Sequence, residues 1–264
     1  MVQSHVGTHA MPLLDAPPVR KIGTGDLQDA LSKGYADFMA MPSHLAFVCL
    51  IYPILGVFLA SAAFGYDLLP LLFPLVSGFA LVGPLAGIGL YELSRRREQG
   101  LEPTWQDAFE VLRSPAIGSI VGMGIILLVI FVAWLLSAYA IYGATIGSAG
   151  ALPYDQLIRT VLTTPAGWTL MVVGNAVGFL FAALVLTTSV IAFPLILDRG
   201  AGVGVAIATS VAAVRANPAT MATWGLIVAV LLALGSIPLF VGLAIVMPIL
   251  GHATWHLYRK VVAS

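Results

Sequence analysis

Residues 219–257 form one nearly unbroken apolar stretch. A helix crosses the hydrocarbon core of a bilayer with about 20 residues, within a range of roughly 17–25. The stretch is too long for one crossing, so it must turn back on itself, and Gly235-Ser236-Ile237-Pro238 is the one plausible turn inside it. Applied to the other apolar runs, the same length criterion predicts six crossings, near 44–65, 68–92, 116–143, 167–197, 219–236 and 238–257. Composition agrees. The chain is 59% hydrophobic and 9% charged, against roughly 25% charged residues in a soluble domain. Polar groups cannot cover its surface, so most of that surface must meet lipid.

Charge placement selects the topology, because cytoplasmic flanks collect Lys and Arg. With six crossings and both termini inside, the inner side receives Arg20, Lys21, Lys33, Arg95, Arg96, Arg97, Arg113, Arg199, Arg215, Arg259 and Lys260, and the outer side only Arg159. Five crossings would strand Arg259 and Lys260 outside. An internal repeat gives the same answer. Gly242 to Arg259 echoes Gly78 to Arg95, with Gly78/Gly242, Ala80/Ala244, Val82/Val246, Pro84/Pro248, Gly87/Gly251, Leu93/Leu257 and Arg95/Arg259 identical. The two helices therefore cross in the same direction.

A short helix-like stretch precedes each odd span and ends at a proline: 26–41 before Pro42, Trp105 to Arg113 before Pro115, and Val203 to Arg215 before Pro218. In the first, Asp26 is placed as the cap, with Leu27, Leu31 and Phe38 near one face and Asp29, Lys33 and Asp37 elsewhere. Such helices lie in the membrane interface. The expected fold is all-α: a polytopic bundle of six transmembrane helices, arranged as three hairpins, each led by an interfacial amphipathic helix. Residues 1–25, rich in Pro and Gly, read as a flexible cytoplasmic tail, and 26–264 as the transmembrane domain. No secretory signal peptide is expected, since the first apolar run starts near Leu45 and no small-residue cleavage site follows it.

Glycines four apart put both members on one helix face and let backbones approach closely. Gly83 and Gly87, Gly118 and Gly122, and Gly174 and Gly178 are the candidates for helix packing or partner docking. Trp105 and Phe109, with Leu112, form an apolar side on the charged loop 94–115, expected to rest on lipid headgroups, with docking of a partner as the alternative. No ionisable group falls at mid-span, which argues against a proton-coupled pump and a voltage sensor. Asn175 is the mid-span group able to hydrogen-bond across helices. One cysteine, Cys49, excludes a disulfide framework. No phosphate loop, zinc-protease signature or nucleophile arrangement is present, so no catalytic residue and no cofactor is expected. His252 and His256 share a helix face at the inner boundary, and His44 opens span one at the same level; these three are the candidate metal ligands, with Glu92 at the repeat position of His256. The competing reading makes them interfacial anchors beside Trp255 and Tyr258.

The ending Pro248-Ile249-Leu250-Gly251-His252-Ala253-Thr254-Trp255-His256-Leu257-Tyr258-Arg259 resembles that of the DUF2189 family of bacterial integral membrane proteins. Gly78 to Arg97, Phe193 to Arg199 and Ala216-Asn217-Pro218 agree with it, so the similarity covers about residues 30–262. The resemblance implies fold and a bacterial inner-membrane location, with no established activity. Some relatives are called cytochrome oxidase subunit one, but a haem-copper centre needs histidines spread over several spans, and here those near spans lie at one edge. The expected function is therefore a non-enzymatic scaffold or accessory subunit of a larger membrane complex, a respiratory one among the candidates. The expected partners are the lipid bilayer and another membrane protein, with no nucleic acid. A small-molecule transporter or channel built on the pseudo-repeats is the second reading, and a metal- or haem-binding membrane protein the third.

Overall fold

In the computed structural model, residues 16–41, 56, 74–75, 83–85, 87–147, 154–237 and 242–263 are described. They are helical almost throughout, with no strand among them beyond one isolated Val19–Val262 bridge. In chain order the helices are α1 (Thr24–Ala40), α2 (Ile88–Glu98), a 3-10 helix (Trp105–Arg113), α3 (Ile117–Thr145), α4 (Tyr154–Thr163), α5 (Pro165–Ser189), α6 (Ala192–Arg199), α7 (Val203–Ala216), α8 (Pro218–Ser236) and α9 (Leu243–Val261).

Three helical stretches are long and apolar enough to cross a membrane: Ile117–Thr145, Pro165–Arg199 and Pro218–Ser236. At 1.5 Å per residue they run about 43, 52 and 28 Å, against a hydrocarbon core of about 30 Å. They coincide with the third, fourth and fifth expected spans. The first span lies outside the described residues, as does most of the second apart from its end in α2. Helix α8 stops at Ser236 and α9 begins after Gly242; Pro238 of the expected turn lies outside the described residues, and α9, at the place of the sixth expected span, is not among the three candidate spans. The short helices before Pro115 and Pro218 are also found where expected.

Proline chemistry sets several boundaries. Pro165 and Pro218 open α5 and α8 in the first turn, where a missing N–H costs nothing. Pro194 acts differently. Its ring has no N–H to give the Val190 carbonyl and crowds it, and the long helix breaks just there, between Ser189 and Ala192. The Ile191 N–H then donates to the Ser210 hydroxyl of α7 at 3.3 Å. Helix α6 ends on Gly200, whose φ of 64° is left-handed and favours glycine.

The spans carry their polar groups inward on themselves. Ser137, Thr169, Thr188, Thr223 and Ser236 each donate to the carbonyl four residues back. Asn175 does the same, donating to the Met171 carbonyl at 2.7 Å, which replaces the bond across helices expected of it. Between α3 and α5, Trp134 stacks on Phe181 at 5.7 Å, lies against Gly178, and donates its Nε1–H to the Pro74 carbonyl.

A stripe of α3 (Ile120, Met123, Leu127, Trp134 and Ala138) continues the buried core along the span, but most of that core sits at one end of these helices. There α6 contributes Phe193, Leu195 and Ile196, α7 Ala206 and Ala213, α8 Met221 and Trp224, and α9 Trp255, Leu257, Tyr258 and Val261, all closed to solvent. Helix α1 packs along α9 through a stripe of Leu27, Ala30, Gly34 and Asp37. The 3-4-3 spacing of that stripe is a helix face. It differs from the expected face of Leu27, Leu31 and Phe38, and it places Asp37 inside. A Cβ on Gly34 would stand 2.6 Å from the Ala253 backbone nitrogen, so the two helices touch at backbone distance. Asp26 stabilises the start of α1 from its third helical position, accepting the Gly23 N–H at 2.9 Å; Gly23 is the cap residue.

Of the expected tail, residues 1–15 lie outside the described residues. Residues 16–23 run extended along the C-terminus. Arg20 N–H donates to Val261 O at 2.7 Å and Ala263 N–H to Pro18 O at 3.1 Å.

Candidate functional site

Buried ionisable groups are costly unless paired, and among the described residues they gather where α1, α2 and α9 meet, at the end of the helices that the charge pattern predicts to lie inside, called the inner end for that expectation. Asp37 of α1 is 5% exposed. Its Oδ2 accepts from the Ser94 hydroxyl at 2.6 Å and from His256 Nε2 at 2.8 Å, and its Oδ1 from Arg97 at 2.5 Å. Ser94 also meets His252 Nδ1 at 2.7 Å. Burial pushes the Asp37 carboxyl up, but the hydrogen bonds from His256 and Ser94 and the two imidazoles outweigh it, so the group sits below its ordinary value. An ionised Asp37 only accepts. The serine proton therefore points at the carboxylate, and the network assigns His252 as the Nδ1–H tautomer donating to Ser94. His256 donates from Nε2.

Around this centre the remaining charges close in pairs. Glu92, 2% exposed, is gripped by Arg95 at 2.8 and 2.9 Å and by Arg96 at 2.8 Å. Arg96 reaches on to Asp107 of the 3-10 helix. Asp107 also accepts from the Thr104 backbone and hydroxyl, and those bonds hold its carboxyl below the usual range. Glu98 receives Trp255 Nε1 and Arg259, both at 3.1 Å. Tyr258 donates to Asp198 at 2.6 Å, and burial with that neighbouring carboxylate pushes its phenol up. Lys260 and Lys33 hold Asp29 down to about 2. Five elements, α1, α2, the 3-10 helix, α6 and α9, are thus tied together by charge-assisted bonds.

The arrangement ties helices together. Ser94 stands between a carboxylate and an imidazole, whereas nucleophile activation requires the imidazole between serine and carboxylate. His252 and His256 are brought together as their spacing predicted, onto Ser94 and Asp37. His44 lies outside the described residues. Glu92 is engaged by arginines of its own helix. No cluster of three or more His, Cys, Asp or Glu side chains placed to hold a metal ion occurs among the described residues. Asp37, Ser94 and Arg97 were missed as partners of the histidines. The small residues Ala30 and Gly34, in register with Asp37, were the available signal, since they mark a close helix approach.

The expected packing glycines divide. Gly122 meets Val203 and Gly178 meets Trp134, at 3.2 and 3.1 Å from a notional Cβ, and Gly83 meets Met247 at 3.8 Å. Gly87 lies against the Tyr91 hydroxyl of its own helix. Gly118 and Gly174 have no neighbour within 4 Å of a notional Cβ among the described residues. Trp105 and Phe109 are half exposed and pack edge to face at 6.0 Å.

No curated protein and no solved structure matches the chain. The family match is shorter than the 30–262 suggested by the resemblance: it includes Gly78 to Arg97 and Phe193 to Asp198, and stops before Asn217 and the histidine-bearing ending. Residues 72–198, which carry the inner-end Glu92, Ser94 and Arg97 together with two of the three candidate spans, match the family DUF2189, described as a predicted integral membrane protein.

Proposed function

We propose that this protein is a non-catalytic membrane scaffold or accessory subunit, seated in a bacterial inner membrane with both termini cytoplasmic, that presents its spans to another membrane protein. The observation that carries this reading is a division of labour. The described buried acids are taken up in ion pairs and hydrogen bonds that lock the inner end. Meanwhile Gly118 and Gly174 lie on the candidate spans with nothing among the described residues within 4 Å of a notional Cβ. Small residues on an uncovered span let a second helix approach closely.

Purification in mild detergent with mass spectrometry tests it. A companion membrane protein should co-purify at fixed stoichiometry and be lost from Gly118→Leu/Gly174→Leu, while the double variant keeps its helix content. A chain that always runs alone, or a companion indifferent to both substitutions, sinks the proposal. Accessibility of a C-terminal label from the periplasm would overturn the orientation.

A further inference from the structure

Every inner-side cation but three has a carboxylate within 4.0 Å: Lys33, Arg95, Arg96, Arg97, Arg113, Arg199, Arg259 and Lys260 are all paired. Arg20, Lys21 and Arg215 are exposed and have no acidic partner among the described residues. Two of them lie on a segment whose main chain is fixed at Asn217, two residues after the third. Asn217, itself buried, donates to the Arg20 carbonyl at 3.0 Å and accepts the Ile22 N–H at 2.8 Å, and Thr220 donates to the Ile22 carbonyl at 3.1 Å. This clamp fixes the 20–22 segment against the α7–α8 junction, beside Arg215. Helix α8 is a candidate membrane span that begins at Pro218, so the three cations stand where a crossing begins.

We propose that Arg20, Lys21 and Arg215 form a binding surface for the headgroup of an anionic phospholipid of the inner leaflet. Charge complementarity selects the occupant. A protein that neutralises its other inner-side cations with its own acids leaves these three open at the one level where anionic headgroups are abundant. Their main chain is preset by Asn217 and Thr220, so binding need order only side chains.

The test uses the full chain in detergent with native mass spectrometry, offered equimolar phosphatidylglycerol and phosphatidylcholine. The wild type should retain phosphatidylglycerol several-fold over phosphatidylcholine, and the preference should shrink as salt rises. Arg20→Gln/Lys21→Gln/Arg215→Gln should bring the two lipids to parity. The clamp uses main-chain atoms of Arg20 and Ile22, so this variant should keep its fold, checked by circular dichroism. Lys33→Gln/Arg113→Gln, which removes two paired exposed cations, should keep the preference. A triple variant that still prefers phosphatidylglycerol overturns the proposal, as does equal loss in the Lys33/Arg113 control. Complete displacement of the lipid by millimolar inorganic phosphate would show a free-anion site and overturn the lipid assignment.

Discussion

The spans and the inner end of this molecule solve opposite problems. Along α3, α5 and α8 no Asp, Glu, Lys, Arg or His occurs, and large apolar side chains such as Leu136, Val172 and Phe179 are two-thirds exposed. At the inner end Phe193, Trp255 and Tyr258 are fully enclosed, and Asp37, Glu92 and His252 are buried with them. In oil, a helix need only satisfy its own backbone and point hydrocarbon outward. At the water boundary, burial again becomes favourable, and polar groups can be enclosed if they are paired. The contrast says that the described tertiary structure is fixed mainly at the inner end, while the described spans are loosely covered by the protein itself.

If that is right, the largest damage should come from the network's centre. Asp37→Ala leaves the buried Ser94 and the partly exposed His256 and Arg97 without their acceptor, and loss of one partner in a buried network costs up to about 3–5 kcal/mol. Thermal unfolding in detergent should show a large drop, whereas Ser137→Ala, which removes a hydroxyl bonded only to its own helix, should change it by less than about 0.5 kcal/mol. Equal effects would erase the distinction between the two regions.

Gly34→Leu should come next. The new side chain must occupy the space of the Ala253 backbone, and overpacking costs about 1–3 kcal/mol. Helix α1 should separate from α9, seen as faster hydrogen exchange in 24–40 with the spans unchanged. Unchanged protection of α1 would show that the backbone contact is dispensable.

The smallest effect is on pH. The folded-state pKa of Asp37 lies below its ordinary value, so its stabilisation is complete above about pH 4 and is lost as pH falls toward the folded value. Proteolysis of α1 should therefore rise below about pH 4 in the wild type, and Asp37→Asn should flatten that dependence. An identical acid response in the variant would assign it to other carboxylates, Asp29 first.

Much of this was legible in the chain. The apolar runs at 117–145, 165–199 and 218–236, the short helices before Pro115 and Pro218, and the two histidines four apart are local patterns, and these found their place among the described residues. The centre of the site was not. Asp37 reads as one more acid on an amphipathic helix until α9 is laid beside it. Asn175 reads as a cross-helix donor until its own carbonyl is seen to take the bond. Asn217 shows no sign in the sequence of clamping a segment nearly two hundred positions earlier.

Hydropathy and the boundaries of the described helices follow from the sequence by itself, because they depend on period, length and neighbours within a few residues. The pairing of Asp37 with Ser94, Arg97 and His256, the backbone contact of Gly34 with Ala253, and which of the described cations find an acid were decided only by tertiary structure. Each requires surfaces distant in sequence to meet, and which charge ends beside which depends on how closely small residues let the helices approach.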